Sequence, residues 1–130
     1  MPFISTKTHA LLDYTSGILL VATPWVFAFH DGSAPHWTSI IYGIAILMVS
    51  VITSYEGGFL RIISMRTHLT IDVIAGILLM ISPWLLGFAD RIFLPHLIIG
   101  GFQLVIGLLT DRIPFQLGKE MSVRTAHHFK

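Results

Sequence analysis

The sequence predicts an all-α membrane protein, with four transmembrane helices arranged as two parallel-repeat helical hairpins. Three observations predict this. The 130 residues are 54% hydrophobic and only 12% charged, which is too apolar for an ordinary soluble domain. Four runs lack Asp, Glu, Lys and Arg: those between Asp13 and Asp31, Asp31 and Glu56, Asp72 and Asp90, and Arg91 and Asp111. Each is about as long as the roughly 20 helical residues that cross a bilayer core. The third observation is a segment that recurs without a gap.

Helix 1 is expected near Leu11 to Phe29, helix 2 near Thr38 to Tyr55, helix 3 near Leu69 to Phe88 and helix 4 near Phe93 to Thr110. The first apolar run lacks an Ala-x-Ala-like cleavage site and leads into a second span, so it reads as a retained helix. The loops His30 to Trp37 and Ala89 to Ile92 are short enough to force antiparallel hairpins. Lys7, Arg61, Arg66, Arg112, Lys119, Arg124 and Lys130 fall on one side of this arrangement, and Arg91 alone falls on the other. Cations concentrate in cytoplasmic loops, so both termini are expected in the cytoplasm.

The repeat aligns Thr8 to Phe29 with Thr67 to Phe88, with 10 of 22 positions identical. Leu and Ile recur in any span, so the informative matches are His9 with His68, Asp13 with Asp72, Gly17 with Gly76, Pro24 with Pro83 and Trp25 with Trp84. The second helices match more loosely, through Pro35-His36 with Pro95-His96 and, in another register, Gly43 and Thr53 with Gly100 and Thr110. Each unit holds two spans, so both copies enter the membrane from the same side, related by a pseudo-twofold axis along the membrane normal. The chain thus reads as one membrane domain over 1–130, with repeat 1 at 8–56, repeat 2 at 67–112 and a polar cytoplasmic tail at 113–130.

Thr23-Pro24-Trp25 and Ser82-Pro83-Trp84 each follow a Gly-Ile-Leu-Leu stretch and lead into an apolar hairpin. Over about residues 8 to 112 the chain resembles the SPW-repeat family of small bacterial membrane proteins, with Thr for Ser in the first copy. That resemblance implies a bacterial inner-membrane protein with paired repeats, and it carries over no defined activity. Physically, Pro24 and Pro83 cost each helix a backbone hydrogen bond and kink it, and the hydroxyls of Thr23 and Ser82 are placed to satisfy freed groups. Trp25 and Trp84 suit the outer membrane interface as anchors.

The sharper chemical signal is His9 with Asp13 and His68 with Asp72. A separation of four puts each pair on one helix face, and Gly17 and Gly76 extend the stripe. Small residues permit close approach, so helices 1 and 3 are expected to face each other along His-x3-Asp-x3-Gly. With Trp25 at the outer interface, Asp13 lies about 18 Å below it, roughly 10 Å inside a core about 30 Å thick. A carboxylate at that depth should point inward and find a partner.

Three readings follow from two imidazoles and two carboxylates at one level. They form a hydrogen-bonded clamp that docks the repeats, or a divalent metal site for Zn, Fe or Mn, or a proton path with Asp13 and Asp72 as relay carboxylates in a small transporter. Bis-histidine haem ligation is a further option that no flanking feature favours. Thr8 and Thr67 are expected as helix N-caps. A four-helix bundle has little room for an aqueous pore, so transport would call for a homo-oligomer, for which Gly43, Gly100, Gly101 and Gly107 offer seams.

Other chemistry is excluded. No cysteine is present, which removes disulfides, thiolate metal sites and Cys nucleophiles. There is no nucleophile elbow, phosphate loop, His-Glu-x-x-His or basic run with interleaved aromatics, which argues against an enzyme of a familiar class and against nucleic-acid partners. His30, His36 and His96 are expected at the outer surface as interfacial residues, and no weight rests on His127 and His128 in the tail.

Overall fold

A computed structural model describes residues 3–128 and is all helical apart from two isolated bridges. Lys130, one of the cations that set the expected orientation, lies outside the described residues. Five helices follow in order: α1 (Thr6–Val26), α2 (Ala34–Ile52), α3 (Met65–Leu85), α4 (Leu94–Leu109) and α5 (Phe115–His128). Among them α2 and α3 are long and apolar enough to cross a membrane, and α4 is apolar but shorter.

Helices α1 and α3 start earlier than their apolar runs because capping decides the start. Ser5 and Ser64 are the N-caps, each accepting from the backbone N–H three residues on and pairing with the hydroxyl of Thr8 or Thr67 at 3.0 and 2.9 Å. The expected caps Thr8 and Thr67 are therefore third residues of their helices, and Ser5 and Ser64 take the capping position. At the other end, Phe29 N–H and Phe88 N–H bond back to the carbonyls of Pro24 and Pro83, each at 2.8 Å, in Schellman turns. The left-handed residue of the turn is Ala28 in one hairpin (φ 55°) and Gly87 in the other (φ 72°).

Within each hairpin the backbones touch at glycine. A Cβ on Gly17 would meet the Gly43 carbonyl at 3.2 Å, and one on Gly76 would meet the Gly100 carbonyl at 2.8 Å. Gly17 and Gly76 thus face α2 and α4, and not the α1–α3 contact expected of them. The reason is helical pitch: eight residues overshoot two turns by about 80°, which turns the glycines away from the face that carries His9 and His68.

The hairpins close on each other at their ends. Ile4 bridges to Thr110, and Thr53 bridges to Ile63, so the strand leading into each first helix caps the other hairpin's second helix. Midway, Leu20, Ile46 and Leu79 form an apolar layer with Tyr42 and Ile99 against it. Polar groups otherwise dominate the interior: 16 polar or charged residues are buried against 10 hydrophobic ones among the described residues. Ile18, Ile41, Met48, Ile74, Ile98 and Val105 lie outward on the four helices. This inverted partition is what a lipid environment selects. Within the segment expected as a polar cytoplasmic tail, Phe115–His128 forms helix α5 behind Pro114.

Candidate functional site

His9, Asp13, His68 and Asp72 converge at the centre of the bundle, all buried, with one ligand atom from each lying within 4.8 Å of the others. The ring nitrogens His9 Nε2 and His68 Nε2 are 3.0 Å apart. His9 Nε2 lies 3.1 Å from Asp13 Oδ2 and 3.0 Å from Asp72 Oδ2; His68 Nε2 lies 2.9 and 3.1 Å from the same atoms. The cluster sits where side chains from all four bundle helices meet, with Ser50 of α2 and Gln103 of α4 bonded to Asp13.

Both imidazoles are oriented from behind. Thr53 Oγ1 donates its one proton to Val49 O at 2.6 Å, so it accepts from His68 Nδ1–H at 2.7 Å. Thr110 Oγ1 donates to Ile106 O and accepts from His9 Nδ1–H at 2.8 Å. Each threonine belongs to the opposite hairpin from the histidine it holds. With the proton on Nδ1, a neutral ring presents its Nε2 lone pair inward. Two such lone pairs then face two carboxylate oxygens, an arrangement that requires a cation among them, either a proton or a metal ion.

The carboxylates are held unequally. Asp13 accepts from Ser50 Oγ at 3.1 Å and from Gln103 Nε2 at 3.2 Å, and Ser16 Oγ reaches Gln103 Oε1 at 3.4 Å. Asp72 Oδ2 has no hydrogen-bond partner, although both imidazoles are about as close as donors would be. By the register that aligns Thr53 with Thr110, Ser50 corresponds to Gly107 and Gln103 to Ile46. The side chains that anchor Asp13 are thus missing around Asp72.

Sequence reading missed Thr53, Thr110, Ser50 and Gln103 as parts of the site. Thr53 and Thr110 were visible as a repeat match, but their role depends on a cross-hairpin contact that no local pattern encodes. Haem does not fit the site, since two axial metal–nitrogen bonds of about 2 Å need ring nitrogens roughly 4 Å apart with a porphyrin between them.

At the opposite end, Thr23 Oγ1 donates to Leu20 O and Ser82 Oγ to Leu79 O, both at 2.7 Å. Those are the carbonyls left without N–H donors by Pro24 and Pro83, four residues on. Trp25 and Trp84 are each 55% exposed beside them. His96 is fully buried instead of interfacial, with Nε2 3.1 Å from Ser39 Oγ, and His36 is nearly so, packed on Trp25; only His30 is exposed. The two loops at this end are joined by an ion pair of Arg91 with Asp31. Hydrogen bonds from Ser33, together with Arg91, hold the Asp31 carboxyl well below the usual carboxylate range.

Neither a curated protein nor a solved structure matches the chain. The SPW repeat domain matches residues 7–110, which span both hairpins and all four converging side chains. The chain therefore belongs to the SPW repeat domain family, and it is a membrane protein of that family with a buried His-Asp cluster at its centre.

Proposed function

We propose that this protein is a four-span inner-membrane protein whose two hairpins, related by a pseudo-twofold axis along the membrane normal, are cross-linked by one divalent transition-metal ion on His9, Asp13, His68 and Asp72. The observation that carries the metal reading is the unpartnered Asp72 Oδ2 beside two imidazoles whose Nδ1 protons are already committed. A single proton shared along the 3.0 Å His9–His68 line leaves that oxygen unserved, and serving it with protons alone requires both buried rings to be cationic. An ion among the four atoms would serve them all. Each imidazole nitrogen lies 2.9–3.1 Å from both carboxylate oxygens, and all four atoms lie within 4.8 Å of one another, close enough to share one ion.

Two carboxylates balance a dication, so the occupied site is neutral, as a bilayer interior favours. Histidines held through their second nitrogen are typical of metal ligands. Nitrogen and oxygen donors suit Zn, Fe or Mn, and a closed four-ligand shell points to a structural role. Supporting four spans are the outward apolar faces of all four helices and the cation bias, which also favours cytoplasmic termini. The relay reading of Asp13 and Asp72 has the dry Leu20–Ile46–Leu79 layer against it, between the cluster and the outer side.

Elemental analysis of detergent-purified protein tests the proposal. About one metal ion per chain is expected in the wild type, and substantially less in His9→Ala and His68→Ala. A wild type without stoichiometric metal overturns the metal reading and leaves a hydrogen-bonded clamp.

A further inference from the structure

A cleft of 280 Å³ opens between α3 and α4 on the outer surface of the bundle. Arg66 and Arg112 line it together with apolar walls of Val73, Ile74 and Leu108, and Gly107 lies among them. Both arginines are exposed, and among the described residues neither guanidinium has an ion-pair partner. The walls lie deeper along the helices, since Ile74 is about 12 Å along α3 from Arg66.

The first hairpin shows what such a cleft looks like when covered. There Val73 is replaced by Tyr14, whose hydroxyl donates to Gly57 O at 2.8 Å, and Gly107 by Ser50. The α2–α3 loop lies over this side: Phe59 N–H and Leu60 N–H bond to Val51 O, the counterpart of Leu108. Among the described residues no such loop covers the second hairpin, because the chain leaves Thr110 through Pro114 into α5. An apolar channel with two free guanidiniums at one end complements one molecule type: a chain with an anionic head.

We propose that this cleft binds an anionic phospholipid of the cytoplasmic leaflet, its phosphate between Arg66 and Arg112 and one acyl chain along Val73, Ile74 and Leu108. Arginine pairs suit phosphate because their forked donors match its oxygens, and basic pockets between membrane helices on the cytoplasmic side are suited to such headgroups. The proposal rests on the membrane-spanning reading with cytoplasmic ends, and is independent of the metal.

Native mass spectrometry of detergent-solubilised protein with added phosphatidylglycerol, phosphatidylcholine or inorganic phosphate tests it. Phosphatidylglycerol should be retained at least tenfold better than phosphatidylcholine, and phosphate alone should not be retained. Arg66→Gln with Arg112→Gln should abolish that preference. Leu108→Trp, at a 65% exposed position, should fill the cleft and weaken retention even if the double variant folds poorly. Lys119→Gln with Arg124→Gln removes the same charge from α5 and should leave the preference unchanged. Equal retention of both lipids by the wild type, equal loss in the α5 control, or binding of phosphate alone overturns the proposal. Wild type that fails to float with phosphatidylcholine vesicles refutes the membrane reading itself; wild type that floats without an anionic preference refutes only the cleft.

Discussion

The two hairpins share a skeleton and differ in how firmly each holds its share of the centre. Both present His-x-x-x-Asp from a serine-capped helix, and both lend a threonine to the other's imidazole. Yet Asp13 rests on Ser50 and Gln103, whereas the matching positions around Asp72 are Gly107 and Ile46. Duplication thus explains where the four groups meet. Later divergence at neighbouring positions explains which group is anchored by a second helix and which is not.

The largest test of that difference is carboxylate removal. Asp13→Ala strands two buried donors as well as losing a ligand, so it should cost about 3–5 kcal/mol of stability. Asp72→Ala strands neither donor and should cost roughly half as much by the same reasoning. Thermal or denaturant unfolding in micelles measures both, and equal losses would break the asymmetry.

Helix contacts give an intermediate effect. A methyl at Gly76 meets backbone, with Leu104 N at 2.7 Å and Gly100 O at 2.8 Å. At Gly17 the nearest atoms belong to the Leu47 side chain at 2.8 Å, which can turn aside. Gly76→Ala should therefore cost about 2–3 kcal/mol and Gly17→Ala about 1 kcal/mol in the same unfolding assay. The reverse order would show that the second hairpin's backbone yields more easily than its contacts imply.

The smallest effect runs toward greater stability. Ala28 adopts the left-handed conformation that Gly87 adopts in the other hairpin, so Ala28→Gly should stabilise by about 1 kcal/mol. A rise in the unfolding midpoint checks it, and a fall would mean that the Ala28 methyl makes a favourable contact.

Hydrophobic run length and the repeat made the helices and the four converging residues legible in the sequence. What they left out has physical causes. Ser5 and Thr8 are both good capping residues, and only the bond from Thr8 N–H to Ser5 Oγ reveals which one caps. Helix α5 was illegible because Gly118 and scattered charges mask a short helix. The facing of α1 and α3 was inferred from a stripe of eight residues, over which the helix rotates enough to point glycine and histidine at different neighbours. Thr53, Thr110, Ser50 and Gln103 read as ordinary polar residues in apolar spans until the second hairpin is present to receive them.

The exchanged threonines also set the order in which this protein can mature. As the chain is synthesised, the first hairpin is complete while His9 still lacks the hydroxyl that orients it, because Thr110 is still to come. Thr53 waits for His68 in the same way. Each half therefore lacks contacts that the other supplies, those for the first hairpin coming from the end of α4 beside Ile4. A gene encoding one such hairpin would need two copies of its product to complete either half, so the present chain reads as an obligate dimer made continuous.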